Sequence, residues 1–406
     1  MKFGRSMLEH WLLDPDAVYL NHGTVGVTPR RVLDAQQQLR LQIERHPARF
    51  MLRELMSLNP AEPAPGAVVP RLRAAAEQVG ALLGCRGDDL AFVDNASAGI
   101  NAVLRSLRFA AGDEIMLFDH AYGAVARTAA FVAREQGAQV VTLALPFPID
   151  DAAQVAATLE AGLTARTRLV IVDHISSETA LILPVAELAA VCRARSIAVL
   201  VDGAHAPGAI DVNIPALGVD WYVANLHKWA FAPRGCGVLW AAPEHRQTLH
   251  PSVISWGLDT GWLREFDWTG TRDPTPFLCA PDGIAFMTSC LGIDAMREHN
   301  HALVWHAAQQ FAARWGPPWS TPETMTGCMA TLPLPIRLGG DQAQARRLQN
   351  WLLFERHIEV PVITRANRLW LRVSAQVYND DSDIERLGEA IDEVLATPSL
   401  PGPPRA

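Results

Sequence analysis

The sequence predicts an α/β fold, with a large domain built on a mainly parallel sheet sandwiched by helices and a smaller α+β domain at the C-terminal end. Three observations predict it. Short apolar runs alternate with longer amphipathic segments from residue 88 onward. That alternation gives way near residue 280 to long helices and a short second group of strands. The chain, 406 residues with 49% hydrophobic content, is also long enough to form more than one core.

The N-terminal stretch, residues 1–20, reads as an arm, and the proline-rich stretch 59–70 reads as a loop. Runs 90–93, 115–118, 140–143, 169–172 and 199–201 are short, apolar and rich in branched residues, as buried strands are. Between them, 124–136 and 185–195 have helical length and periodicity. Strands separated by helices imply crossover connections and a parallel sheet. Farther on, 331–338, 358–362 and 368–373 form the second strand group, and 381–395 a final helix. The expected division is therefore an arm at 1–20, a large domain at 21–278, a small domain at 279–396 and a disordered tail at 397–406. Ligands in such sheets bind beyond the carboxyl ends of the strands, so residues there carry most weight.

Composition narrows the function classes. A formal net charge of -8 offers no broad basic face for nucleic acid. Charged residues interrupt every apolar run before membrane-spanning length, and the N-terminus lacks a signal-peptide pattern. The charged fraction, 19%, is low and suggests extensive burial, a subunit interface included. The six cysteines are scattered with no CxxC pair, which fits reduced thiols in the cytoplasm and no metal site. No GxxxxGK[ST], HExxH, EF-hand loop, GxSxG or strand-linked GxGxxG is present.

One detail points to chemistry. Of 35 lysine and arginine residues, only Lys2 and Lys228 are lysines. A guanidinium stays protonated, whereas a desolvated lysine becomes a neutral nucleophilic amine. Lys228 follows the apolar run WYVA in DWYVANLHKW, and Asp202 ends the run AVLVD. A carboxylate at that place is a cap, a metal ligand or the partner of a protonated ring nitrogen. His227 either contacts a phosphate or serves the loop's structure. In FVDNASAGINAV, Ala96 and Ser97 open a helix whose free N–H groups favour a phosphate, with Asn95 or Ser97 as a plain N-cap the other reading. In DHAYG, His120 or Tyr122 is placed to stack on an aromatic cofactor or to pack in the core.

Read in order, LNHGTVG, DNASAGIN, DHAYGA, DHISSETALILPV, VDGAHAPG, NLHKW, WTGTRDP and LRVSAQVYN resemble the class V aminotransferase family of fold-type I pyridoxal-phosphate enzymes. Within it, they are most similar to the isopenicillin N epimerase-like branch. The resemblance spans residues 19–395. It implies that Lys228 joins the cofactor's aldehyde, that Asp202 faces the pyridine nitrogen, and that His205 lies near the ring hydroxyl. Ala96, Ser97, Asn225 and His227 would hold the phosphate. Gly270 and Thr271 would reach the phosphate of a neighbouring subunit, implying a homodimer with shared active sites. His120 would stack on the ring with Tyr122 beside it, and Ser177 and Thr179 would flank the ring. Glu178 stands between these two where the motif carries proline. Arg372 would bind the α-carboxylate of an amino-acid substrate, and His22, Gly23, Arg49 and Phe50 would lie near the substrate pocket.

The resemblance leaves the reaction among an epimerase or racemase, a C–S lyase and, less favoured, an aminotransferase. A desulfurase needs a nucleophilic cysteine shortly before the carboxylate-binding arginine, and 357–371 has none. A non-catalytic protein of the same fold is the reading from a different class, and a lysine kept at 228 argues against it.

Overall fold

The computed structural model describes residues 2–56, 69–316 and 319–397. Most of the loop expected at 59–70 and nearly all of the expected tail lie outside the described residues.

In chain order the strands are β1 (Val18–Tyr19), β2 (Leu90–Val93), β3 (Glu114–Phe118), β4 (Gln139–Leu143), β5 (Thr167–Asp173), β6 (Ala198–Asp202), β7 (Trp221–Asn225), β8 (Gly237–Ala241), β9 (Met329–Pro333), β10 (Ile358–Glu359), β11 (Val362–Arg365) and β12 (Arg368–Ser374). Seven form the central sheet in the order β2-β8-β7-β6-β5-β3-β4. It is parallel except for β8, which runs against both of its neighbours. Strands β3, β6, β7 and β8 are almost wholly buried, as strands covered by helices on both faces must be. Edge strand β4 is partly exposed instead.

The strands expected in the central sheet appear at their predicted places, most of them one to three residues longer. Run 331–338 instead keeps a strand only to Pro333 and ends in a 3-10 turn at Ile336–Leu338, and 358–362 divides between β10 and β11, which belong to different sheets. Strand β8 was not predicted. Its start, Gly235-Cys236-Gly237, reads as turn residues, yet the sheet recruits the chain as soon as the turn is complete.

Helix Ala96–Ser106 shows why these segments fold as they do. Its buried residues Ala96, Gly99, Ile100, Val103 and Leu104 recur at the spacing of one helical face. Asn95 caps it by accepting a hydrogen bond from the Ala98 N–H at 3.0 Å. Gly99 allows the helix to lie close on β7, because a Cβ there would stand 2.4 Å from Val223 Cγ1. Helix Gly123–Gln136 ends at Gly137, which adopts the left-handed conformation at φ 74°.

A second layer lies toward the C-terminal end. Strands β11, β12 and β9 form an antiparallel sheet in that order. Helices Ile293–Trp315, Gln342–Arg356 and Asp381–Ala396 pack on it around a separate apolar core. Asp341 and Asp380 close capping boxes at the last two helix starts. The N-terminal arm joins this layer, since β1 pairs with β10 and Val18 and Leu20 lie in the same core. The chain then turns back toward the central sheet at Asn21, which bridges to Ser374. Among the described residues no single helix is long and apolar enough to cross a membrane.

Adding one methyl group at the interface of the 96–106 helix and β7 should overpack it. Gly99→Ala is expected to lower stability by about 1–3 kcal/mol, measured as a fall in the urea midpoint at unchanged slope.

Candidate active site

Parallel strands β5, β6 and β7 end together, and their last residues and following loops open onto one cavity of about 380 Å³. It is lined by Thr24, Asn95, Ala96, Ser97, Tyr122, Asp173, Ser177, Asp202, Ala204, His205, Asn225, His227, Lys228 and Arg372. Residues separated by up to 348 positions in the chain thus share one wall, as the pair Thr24 and Arg372 illustrates.

Lys228 stands in the middle. Its Nζ lies 2.9 Å from His205 Nε2. Burial, followed by the charge of Arg372, lowers the pKa of the amine to about 7, against the pull of Asp202 and Asp173. His205 is held well below the ordinary imidazole range by burial and then by Lys228. The ammonium donates to Nε2, and the neutral amine accepts from it. In either state His205 Nδ1 is buried with no hydrogen-bond partner.

The Lys228 backbone is pinned from behind by the N-terminal segment. His22 bonds the Lys228 carbonyl through Nε2 at 2.9 Å and the Tyr378 hydroxyl through Nδ1 at 2.8 Å. Burial pushes its pKa down to about 4, so the ring is neutral and donates one N–H. Gly26, at φ 65°, passes so close that a Cβ would sit 1.9 Å from the His227 carbonyl oxygen. Sequence LNHGTVG therefore serves the lysine loop as well as the cavity wall. Gly23 is packed against Met329, Ser374 and Trp229.

One end of the cavity suits an anion. Asn225 Oδ1 accepts from the Ala96 N–H at 2.8 Å, tying the start of the 96–106 helix to the end of β7. Asn95 takes the Ala98 N–H, so the Ser97 N–H and hydroxyl remain available among the first-turn donors. His227 Nδ1 donates to the Cys236 carbonyl at 2.9 Å, which leaves Nε2 for the cavity. Burial lowers its pKa to about 4, and the neutral ring presents a lone pair there. It meets a phosphate by gaining a proton or by accepting one from it.

Arg372 occupies another part of the wall, on central strand β12. Nη1 donates to the Ser177 carbonyl at 2.6 Å, and Nη2 donates to the Thr24 hydroxyl and to Asn21 Oδ1. Its Nε is buried without a partner, and it forms no ion pair among the described residues. Burial lowers its pKa to about 10, still charged at neutral pH. A buried guanidinium held only by neutral groups is a site in want of an anion.

His120 and Thr179 do not line the cavity. His120 Nδ1 accepts from the Thr179 hydroxyl at 2.7 Å, and Nε2 donates to the Leu145 carbonyl at 3.0 Å. Thr179 bonds Ser176 in turn, so Ser177 faces the cavity and Thr179 the layer beneath it. Tyr122, 46% exposed, is the DHAYG ring at the cavity mouth. Gly270 and Thr271 do not line this chain's cavity, and exposed Arg49 pairs with half-buried Glu54 instead. Phe50 is buried in the sheet's core.

Sequence reasoning singled out no role for Asp173 or Thr24. Asp173 ends an apolar run as Asp202 does, which was the available signal. Thr24 had none, because its role depends on Arg372 coming from the other end of the chain.

Known proteins resemble this chain along its whole length. The profile described as aminotransferase class-V matches residues 64–331. Isopenicillin N epimerase of Streptomyces clavuligerus is 35% identical, covering 94% of this chain and 96% of that protein. A probable chloroplastic L-cysteine desulfhydrase of Arabidopsis thaliana is 30% identical, covering 94% of this chain and 84% of its own length. Among solved structures, the apo cysteine desulfurase from Thermococcus onnurineus NA1 superimposes with a TM-score of 0.78 at 19% identity, covering 97% of this chain and 98% of that one. A C-DES variant with glycine covalently linked to its PLP cofactor gives 0.74 at 21% identity, over 93% of this chain and 97% of that one. At such identities the structural likeness establishes the fold.

Because the charge of Arg372 helps keep Lys228 neutral, Arg372→Ala should raise the pKa of the lysine from about 7. Reductive methylation of the cofactor-free protein, followed at Lys228 by peptide mass spectrometry across pH, should show the midpoint move upward. An unchanged midpoint would break the electrostatic link.

Proposed function

The chain belongs to the class V aminotransferase family, and on that premise we propose that it is a pyridoxal-phosphate enzyme acting at the α-carbon of an amino acid, with epimerisation the leading reaction. The observation that carries this reading is the pairing of a buried amine at Lys228, its pKa near 7, with an unpaired buried guanidinium at Arg372 in one cavity. The residues fit the cofactor. A first-turn amide and hydroxyl at Ser97, with His227 and Asn225, suit its phosphate. His205 Nδ1, buried without a partner, suits its ring hydroxyl. Asp202 is buried at the end of β6, where it suits the pyridine nitrogen.

When bound, pyridoxal phosphate supplies an electron-withdrawing ring that stabilises negative charge at the substrate α-carbon. The protein's own groups do the rest. Arg372 binds the α-carboxylate through its fork of N–H donors and fixes the substrate's orientation. Lys228 Nζ, neutral for a large fraction of the time near pH 7, takes the proton from the α-carbon. His205 holds the amine in place, and His22 holds the backbone behind it. Tyr122 stands at the mouth and Ser177 on the wall, while His120 and Thr179 brace the wall from beneath.

Epimerisation returns a proton to the opposite face of the α-carbon, and likeness to isopenicillin N epimerase over nearly the whole chain supports it. A second reading is a C–S lyase, supported by the desulfhydrase likeness. No cysteine lines the cavity, so proton removal and β-elimination, rather than thiol attack, is the lyase chemistry suited to it. Transamination is less favoured.

Gly270 and Thr271 do not line the chain's own cavity, and Trp256 is 93% exposed, with Val253 and Ile254 also exposed. These features support a homodimer in which Gly270 and Thr271 complete the partner's phosphate site. Separate apolar cores support a large and a small domain, divided in our reading at 21–278 and 279–396, although Ala280 and Met325 pack in the larger core. Of the arm at 1–20, Val18 joins the smaller core and Met7 and Trp11 pack with Phe231. Unpaired buried thiols at Cys192, Cys236, Cys279 and Cys328 support a cytoplasmic location.

Holoenzyme incubated with a panel of amino acids in deuterated water separates the reactions. Deuterium at the α-carbon with loss of optical activity is the expected result. Pyruvate with a released sulfur species favours the lyase, a lasting pyridoxamine-form spectrum favours transamination, and none of these with any amino acid would refute action at the α-carbon. Arg372→Ala should weaken substrate binding by about 2–5 kcal/mol, as loss of one partner of a buried charge pair does. The cofactor's visible absorption should stay intact in that variant, and its loss would contradict the role assigned to Arg372.

A further inference from the structure

Asp173 and Asp202 end neighbouring parallel strands and are paired in register. Such strands lie about 4.8 Å apart. Both side chains are buried, at 6% and 4% exposure, and both line the cavity. Asp202 Oδ1 accepts from the Ala204 N–H at 2.9 Å, and the Tyr122 N–H faces the Asp173 carboxyl and favours its ionised form. Lys228, the cation whose charge acts on both, is bonded to His205 instead. No ion pair reaches either carboxyl among the described residues.

Two adjacent buried carboxyls without a bonded cation do not both ionise, because each charge raises the cost of the other. We propose that Asp173 and Asp202 hold one proton between them, with Asp173 the neutral partner whose lack of charge lets Asp202 stay ionised in the cavity. Asp173 is thus a positioning residue that acts on the cofactor through Asp202, and this part rests on the reading of Asp202 as the pyridine partner. The groups facing Asp173 are Asp202 from β6, Lys228 from the loop after β7 and the Tyr122 N–H from the start of the 123–136 helix. Burial and then the charge of Asp202 push the Asp173 carboxyl well up, while burial raises Asp202.

Infrared spectroscopy tests the shared proton directly. At pH 8 Asp267, the other strongly shifted carboxyl at about 6, is ionised. Wild-type protein should then still show the carbonyl stretch of a protonated carboxyl, with or without cofactor. Asp173→Asn should lose that band yet bind pyridoxal phosphate within about threefold of wild type, since a neutral amide, like the protonated carboxyl it replaces, puts no charge beside Asp202. Absence of the band from wild type, or its survival in Asp173→Asn, would overturn the proposal. The wild-type spectrum needs no variant to fold. It is also read on cofactor-free protein, so failure to bind the cofactor would refute the proposed function and leave the shared proton to be decided by the band.

Discussion

The structure depends on burying the Lys228 amine and the Arg372 guanidinium in the same cavity. Like charges in low dielectric repel, and each loses its hydration. The lysine relieves this by giving up its proton readily, its pKa lying near 7. Arginine does not do so, and Arg372 remains charged, held by the Ser177 carbonyl, the Thr24 hydroxyl and Asn21. An anionic substrate would complete its coordination and neutralise the field that keeps the lysine basic form populated. Binding and chemistry are therefore linked through one electrostatic balance.

Several parts of the chain converge to maintain that balance. The central sheet brings Asp173, Asp202 and the Lys228 loop together at strand ends, where the backbone leaves the sheet and side chains are free to meet. The C-terminal sheet contributes Arg372 from a central strand, a rigid mounting for a group that must be aimed. Residues 21–26 run between them, bonding Arg372 on one side and the Lys228 backbone on the other. Arg365 adds a second tie between the layers by pairing with Asp119 at 2.6 Å. Loosening any of these contacts would misplace the two cations relative to each other.

Much of this was legible in the sequence. Strands β2, β3, β5 and β6 are apolar runs in a chain with clear helical segments between them, and the sheet's parallel character followed. Lys228 stood out because it is chemically unlike the arginines that surround it in the chain, and Asp202 because it ends a buried strand. Strand β8 was hidden by the glycines that begin it, since a turn signal and a strand start overlap there. Asp173 was hidden because a carboxylate at a strand end looks like a cap until the neighbouring strand is known to end in another. Thr24 was hidden more deeply, for its contact spans almost the entire chain. His120, legible as either a stacking ring or a core residue, is buried, with both its nitrogens satisfied through Thr179 and Leu145.

The central claim is that Lys228 is the residue that carries the cofactor. Borohydride reduction of the protein loaded with pyridoxal phosphate, followed by peptide mapping, tests it most directly. The account predicts a single pyridoxyl group on Lys228 and none in a Lys228→Ala variant. A pyridoxyl group found only on Lys2, or a wild-type protein that takes up no cofactor at all, would contradict it.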